Sequence, residues 1–201
     1  MPQFKRKPPT KLVGRKVVVA CEGETEQRYF KMIRGALPRS SNLIFVIKPG
    51  ETNPSSIVEA AHAEREKQKN GKGWGRGDTV WAVFDGEEHY ESDQKDWQNA
   101  IEFAKRQRVE LVISNPSFEL WLLLHFQEQN AHIHRKNAIA KLQSYVHSYA
   151  KGVCPLLSKE QEEAAVTRAN SLAERVMREG LEEFTNPSTG VARLVRHLRT
   201  L

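Results

Sequence analysis

At 201 residues, the chain is long enough to bury a core in one domain with a modest addition, and its 39% hydrophobic and 28% charged residues are those of a folded protein rather than a disordered one. No apolar run approaches the roughly 20 residues that span a bilayer. Met1 to Lys16 also lack the apolar stretch of a signal peptide. A cytoplasmic protein with no membrane partner is therefore expected, with Cys21 and Cys154 as two reduced thiols outside any CxxC spacing.

The net charge is +6, and Lys5, Arg6, Lys7, Lys11, Arg15 and Lys16 carry all of it in a segment without a single acid. Residues 17 to 201 are thus balanced, and the folded part is not broadly basic. Residues 1–16 read as a basic N-terminal arm. Such an arm can contact nucleic-acid phosphates by releasing counterions, and a solubilising terminus explains the same charge equally well.

Val17 to Cys21 is a continuous β-branched apolar run, as expected for a parallel strand covered on both faces. It stops at Glu22-Gly23, and a helix from about Thr25 follows, burying Tyr29, Phe30 and Ile33 as core residues. Leu43 to Ile47 is a second strand. Asn53-Pro54 then caps a helix reaching about Lys69. Gly71, Gly73, Gly75 and Gly77 form a solvated bridge, since no helix and no Lys-Ser/Thr pair follow to make a phosphate cradle.

Thr79 to Phe84 is the third strand, ending at Asp85-Gly86-Glu87, and Trp97 belongs to a core-facing helix from Asp93 to Arg106. Glu110 to Ile113 is a fourth strand. Asn115-Pro116 opens an apolar helix, Phe118 to Phe126, with Asn115 either a cap, the favoured reading, or a site residue. The remainder is helical: Lys136 to Tyr149, Ser158 to Glu179 with Ser158 and Gln161 as a capping box, and Pro187 to Arg199. His132 and His134 lack a neighbouring ligand at metal spacing, and Arg193, Arg196, His197 and Arg199 read as a solvated stripe.

Strand-helix alternation with short connections predicts an α/β fold, a small, mainly parallel, four-stranded sheet flanked by helices. The domain covers residues 17–130, with a helical C-terminal extension, 131–201, packed on it. Right-handed crossovers bring the C-terminal ends of the strands to one edge, where ligands bind in such sheets. Two strands end there in acids. Glu22 and Glu26 are four apart across a glycine turn, and Asp85 and Glu87 are two apart, which points both one way in an extended segment. Four carboxylates at one edge repel unless a cation lies among them. Their hard oxygens favour Mg²⁺ or Mn²⁺; helix-cap and first-turn roles for the same acids remain open. Glu119, in the first turn of an apolar helix, either meets the helix N-terminus or shares the edge.

The order Val17-Val18-Val19-Ala20-Cys21-Glu22-Gly23, then Glu26, then Val83-Phe84-Asp85-Gly86-Glu87 resembles a Toprim domain. Cys21 to Glu26, Ser114-Asn115-Pro116-Ser117-Phe118-Glu119-Leu120-Trp121 and Asn186-Pro187-Ser188-Thr189 resemble the RloB-like family of bacterial defence-associated proteins. The resemblance implies a Toprim-like fold and metal-dependent phosphodiester chemistry on RNA, including tRNA, or DNA. It also implies a place in phage defence beside an AAA or ABC-like ATPase. On it, Glu22 and Asp85 match the principal acids, Glu87 stands where an aspartate is typical, Glu26 matches a further nuclease acid, and Glu119 lies in the distinctive signature. Glu22, Glu26, Asp85 and Glu87 are then the metal ligands, and with Glu119 the catalytic candidates. No basic residue is placed as a transition-state partner. A non-catalytic metal- or partner-binding module is the alternative, and a primase-like nucleotidyl transferase is disfavoured by the lack of accessory domains.

Overall fold

The run Lys16–Cys21 forms strand β1, and its continuous apolar residues, pointing alternately to the two faces, require both faces of the sheet to be covered. A computed structural model of the chain describes residues 14–38, 42–47, 53–71, 73–86, 93–150 and 152–201. In chain order follow α1 (Glu24–Gly35), β2 (Asn42–Ile47), α2 (Pro54–Asn70), β3 (Thr79–Asp85), α3 (Gln94–Gln107) and β4 (Glu110–Asn115). Then come α4 (Phe118–Leu124), α5 (Arg135–Tyr145), α6 (Lys159–Glu179), β5 (Ser188–Thr189) and α7 (Val191–Arg199). The sheet order is β2-β1-β3-β4-β5; β1 to β4 are mutually parallel and β5 is antiparallel to β4.

Among the described residues the sheet therefore has five strands where four were expected. The fifth is a two-residue strand inside the segment read as the start of the last helix. Thr189 lies opposite Ser114, their hydroxyls 2.8 Å apart, and the Gly190 N–H donates to the Ile113 carbonyl at 2.9 Å. The edge of β4 carries backbone groups that need partners, and these residues satisfy them before the helix begins at Val191. Asn115 is likewise not a cap. It ends β4 and donates its side-chain amide to the Phe184 carbonyl at 2.8 Å, while Ser117 takes the N-cap position of α4. Helix α4 stops at Leu124, short of Phe126. Helix α5 stops at Tyr145, because Val146 leaves helical dihedrals (φ −124, ψ 82). The other caps stand as read: Asn53 accepts from the Ser56 N–H, and Ser158 with Gln161 closes a capping box.

Strand periodicity divides the core in two. Val17, Val19, Cys21, Trp81, Val83 and Val112 face one side; Val18, Ala20, Val80, Ala82, Phe84 and Ile113 face the other. The chain steps from β1 outward to β2 and then back across to β3 and β4. With right-handed crossovers, that reversal puts α1 on one face and α2 and α3 on the other. The apolar face left over β3 and β4 is covered by α4, α6 and α7, whose Leu120, Ala169 and Leu194 belong to the same cluster as Val83 and Val112. The C-terminal helices thus complete the core of the sheet. Every residue of α4 is buried, as expected of a helix apolar on all sides.

Leu120 is fully buried beneath this second layer. Leu120→Ala is expected to cost about 3 kcal/mol through lost burial and a residual cavity, read as a lowered urea midpoint with an unchanged m-value.

Candidate functional site

The strand order reverses between β1 and β3, and in open α/β sheets the crevice beyond the strand C-termini at that reversal receives ligands. Both strands end there in acids. The ladder extends one residue past β1, the Glu22 N–H donating to the Val83 carbonyl at 3.0 Å. The Glu22 side chain then crosses to β3, where its Oε2 accepts the Asp85 N–H at 2.9 Å. Asp85 is buried, with both oxygens engaged. Oδ1 accepts the Phe118 N–H at 2.8 Å, a donor that the first turn of α4 leaves without an intrahelical partner. Oδ2 pairs with Arg135 Nη2 at 3.0 Å, and the two side chains are only 5% and 18% exposed.

Glu26 enters from the first turn of α1. It is 5% exposed, and its Oε2 is buried without a hydrogen-bond partner. The neighbouring turn tolerates this approach because Gly23 has no side chain: a Cβ there would lie 2.9 Å from Glu26 Oε2. Burial pushes the Glu26 carboxyl up to about 7 against the pull of its own backbone N–H, with repulsion from Glu22 and Glu119 adding to the rise and Arg135 opposing it. Burial and the charges of Glu26 and Glu22 also push the Asp85 carboxyl upward, again against Arg135. Beneath them, burial and Glu26 raise the Cys21 thiol. Glu22, Glu26, Asp85 and Arg135 line a cavity of about 250 Å³, walled further by Thr25, Phe118, Glu119 and Gly152.

Glu119 belongs to this edge, and its oxygens are taken by structural donors: Ser117 Oγ at 2.6 Å and the Tyr149 hydroxyl at 3.0 Å. Burial and the Glu119 charge hold the Tyr149 hydroxyl well above its usual range. Thr25 Oγ1 accepts the Gly152 N–H at 2.9 Å and closes the wall between α1 and the segment after α5.

Glu22, Glu26, Asp85 and Glu119 are therefore brought to one cavity. Glu87 lies outside the described residues. Among the described residues, no group of three or more His, Cys, Asp and Glu is gathered closely enough to hold a metal ion. In this arrangement the cation on Asp85 is Arg135. The donor set still fits a hard divalent ion in its chemistry, since it is all carboxylate and contains one buried oxygen with no partner.

Sequence reasoning missed Arg135, which lies 50 residues beyond Asp85 with no periodic or motif signal. Its placement is traceable afterwards to Asn186. The Asn186 amide donates to the Ile133 carbonyl at 2.9 Å and accepts the Ile133 N–H at 3.1 Å, pinning the chain two residues before Arg135. The Asn-Pro-Ser-Thr signature thus serves both β5 and the entry to α5.

The basic residues divide differently. Lys5, Arg6, Lys7 and Lys11 lie outside the described residues. Lys16 is the first residue of β1 rather than part of an arm, its N–H on Asp78 Oδ1 at 2.7 Å and its ammonium on Gln68 at 3.0 Å. Arg15 packs beside Gly77. Both sit at the strand N-termini, the edge opposite the acidic cavity. Three residues of the stripe on α7 are engaged rather than merely solvated. Arg193 lies over Trp81 at 5.5 Å, His197 meets Thr79 at 2.9 Å, and Arg199 pairs with Glu162 at 2.9 Å.

Because the Glu26 carboxyl is raised in the fold, its ionisation opposes folding. The penalty is absent below about pH 4.5 and grows as pH climbs through 7, where it approaches 3 kcal/mol, about 1.4 per unit. In metal-free buffer, Glu26→Gln is expected to stabilise the chain at pH 8 by about 2–3 kcal/mol and to leave it nearly unchanged at pH 4.5, measured by urea titration at both pH values.

No helix among the described residues is long and apolar enough to cross a membrane. Comparison with curated proteins and with solved structures returns no match to this chain. A family model described as RloB-like protein matches residues 17–198, from the first strand through the last helix and including every acid of the cavity. The chain belongs to the RloB-like family.

Proposed function

We propose that the chain is a Toprim-type, Mg²⁺- or Mn²⁺-dependent nuclease effector of bacterial antiviral defence, hydrolysing phosphodiesters in RNA, including tRNA, or in DNA. The observation that carries it is the buried, unpartnered Glu26 carboxylate oxygen beside Glu22 and Asp85 at the point where strand order reverses. A buried carboxylate oxygen without a donor is costly, and a divalent ion is a partner that would relieve it while also offsetting its neighbours.

Glu22, Glu26 and Asp85, joined by Glu87 beyond the described residues, would hold the metal. When bound, it supplies Lewis acidity and an activated water at neutral pH. The chain's own groups do the rest. Glu119, locked by Ser117 and Tyr149, supports the cavity wall. The Phe118 N–H holds Asp85 in place. An ATPase of the AAA or ABC-like type is the proposed partner, releasing the effector when infection is sensed.

One observation favours a second reading, a non-catalytic metal- or partner-binding regulatory module of an ATPase-containing complex: both Asp85 oxygens already have protein partners. The two are separated by incubating the chain with mixed cellular nucleic acids, with Mn²⁺ or with EDTA, and with and without the candidate ATPase. The nuclease gives metal-dependent cleavage that falls at least about 100-fold in both Glu22→Gln and Asp85→Asn. Cleavage unchanged in these variants removes the residues from the mechanism; no cleavage beside the ATPase, with partner binding retained, favours the module.

Metal binding also carries a pH signature. Ionised Glu26 is the competent form, and the carboxyl is pushed up to about 7. Mn²⁺ affinity is therefore expected to rise about 10-fold between pH 6 and pH 8, measured by calorimetry, with Glu26→Gln flattening the profile.

A further inference from the structure

Arg135 stands where two demands meet. Its guanidinium is 3.0 Å from Asp85 Oδ2, on the wall of the same cavity as Glu22, Glu26 and Glu119. The backbone that delivers it is held by the Asn186 amide on Ile133, whereas the charge itself sits at the end of a long side chain. A guanidinium keeps its charge at any physiological pH. Asp85 Oδ2 is a natural ligand atom for a hard cation, and Oδ1 is already committed to the Phe118 N–H. A divalent ion and Arg135 therefore compete for one oxygen, and each repels the other. Displaced from Asp85, a planar five-donor fork on a cavity wall is suited to gripping a phosphate oxygen.

We propose that Arg135 exchanges partners: it neutralises Asp85 before metal loads and holds a substrate phosphate oxygen once metal has taken its place. This rests on the metal-dependent reading of the cavity given above. It assigns the basic group of the site and makes one side chain both the guard of the unloaded site and a substrate contact.

The test uses the full chain and the variants Arg135→Gln and Arg135→Lys, with two readouts at pH 8. The first is the Mn²⁺ dissociation constant by calorimetry. The second is binding, at saturating Mn²⁺, of a short single-stranded phosphorothioate oligonucleotide, which resists cleavage. Arg135→Gln removes the competing charge and the phosphate fork together. It is expected to bind Mn²⁺ at least about 5-fold more tightly and the oligonucleotide at least about 10-fold more weakly.

Arg135→Lys keeps a point charge without the fork. It is expected to fall between wild type and Arg135→Gln in both readouts, and it carries the test alone should the glutamine variant fail to fold. Opposite signs in the two measurements are the signature, because a purely structural arginine would weaken both. Changes of the same sign, or no change in either readout, overturn the exchange. Equal Mn²⁺ binding in wild type and variants overturns it while leaving the metal site intact; no Mn²⁺ binding in any of the proteins overturns both together.

Discussion

The position of one carboxylate organises the functional end of this fold. Asp85 ends β3, offers its backbone N–H to Glu22 from β1, receives the first N–H of α4 through Phe118 and pairs with Arg135 at the start of α5. Four elements far apart in sequence are thereby tied at one point. Burying an acid so deeply is tolerable only where donors and a counter-charge meet it. Here they come from a helix N-terminus and a guanidinium, and neither leaves an oxygen of Asp85 idle. Glu26, in the first turn of α1, receives no such compensation for its Oε2. That asymmetry between neighbouring acids gives the cavity its chemistry.

The topology explains why the acids meet at all. Reversal of strand order between β1 and β3 leaves a gap at their C-terminal ends, and the same reversal moves the crossover helices α2 and α3 to one face. The opposite face must then be covered from elsewhere. Helices α4, α6 and α7 cover it, burying Trp121, Leu172 and Val195 in a single cluster with the β1 and β3 side chains. The match of the RloB-like family from residue 17 to 198 follows the same logic, since the C-terminal helices share the core and, through Asn186, the site.

Much of this was legible in the sequence because the signals were local. Uninterrupted apolar runs broken by Glu22 and by Asp85 marked strands ending in acids, and Asn53-Pro54 and Ser158 with Gln161 marked helix starts through short-range capping chemistry. What escaped depends on contacts across the chain. Ser188-Thr189 is too short for any periodicity and is a strand only because β4 has an open edge. Asn115 precedes a proline, which reads as a helix opener, yet its amide is claimed by Phe184 and it stays in the strand. Lys16 looked like the end of a basic run, although Asp78 and Gln68 draw it into β1. Arg135 gave no signal of its own, since a single arginine at a helix start is ordinary until the fold brings Asp85 to it.

Among the described residues lining the cavity, Arg135 is the one basic side chain against several acids, and the proposed divalent ion would add to its charge. Anomalous scattering from crystals grown with Mn²⁺ tests this most directly. The account predicts a peak within coordinating distance of Glu22, Glu26 and Asp85, with the Arg135 guanidinium withdrawn from Asp85. Density free of such a peak at saturating Mn²⁺, with Arg135 still on Asp85, would contradict it.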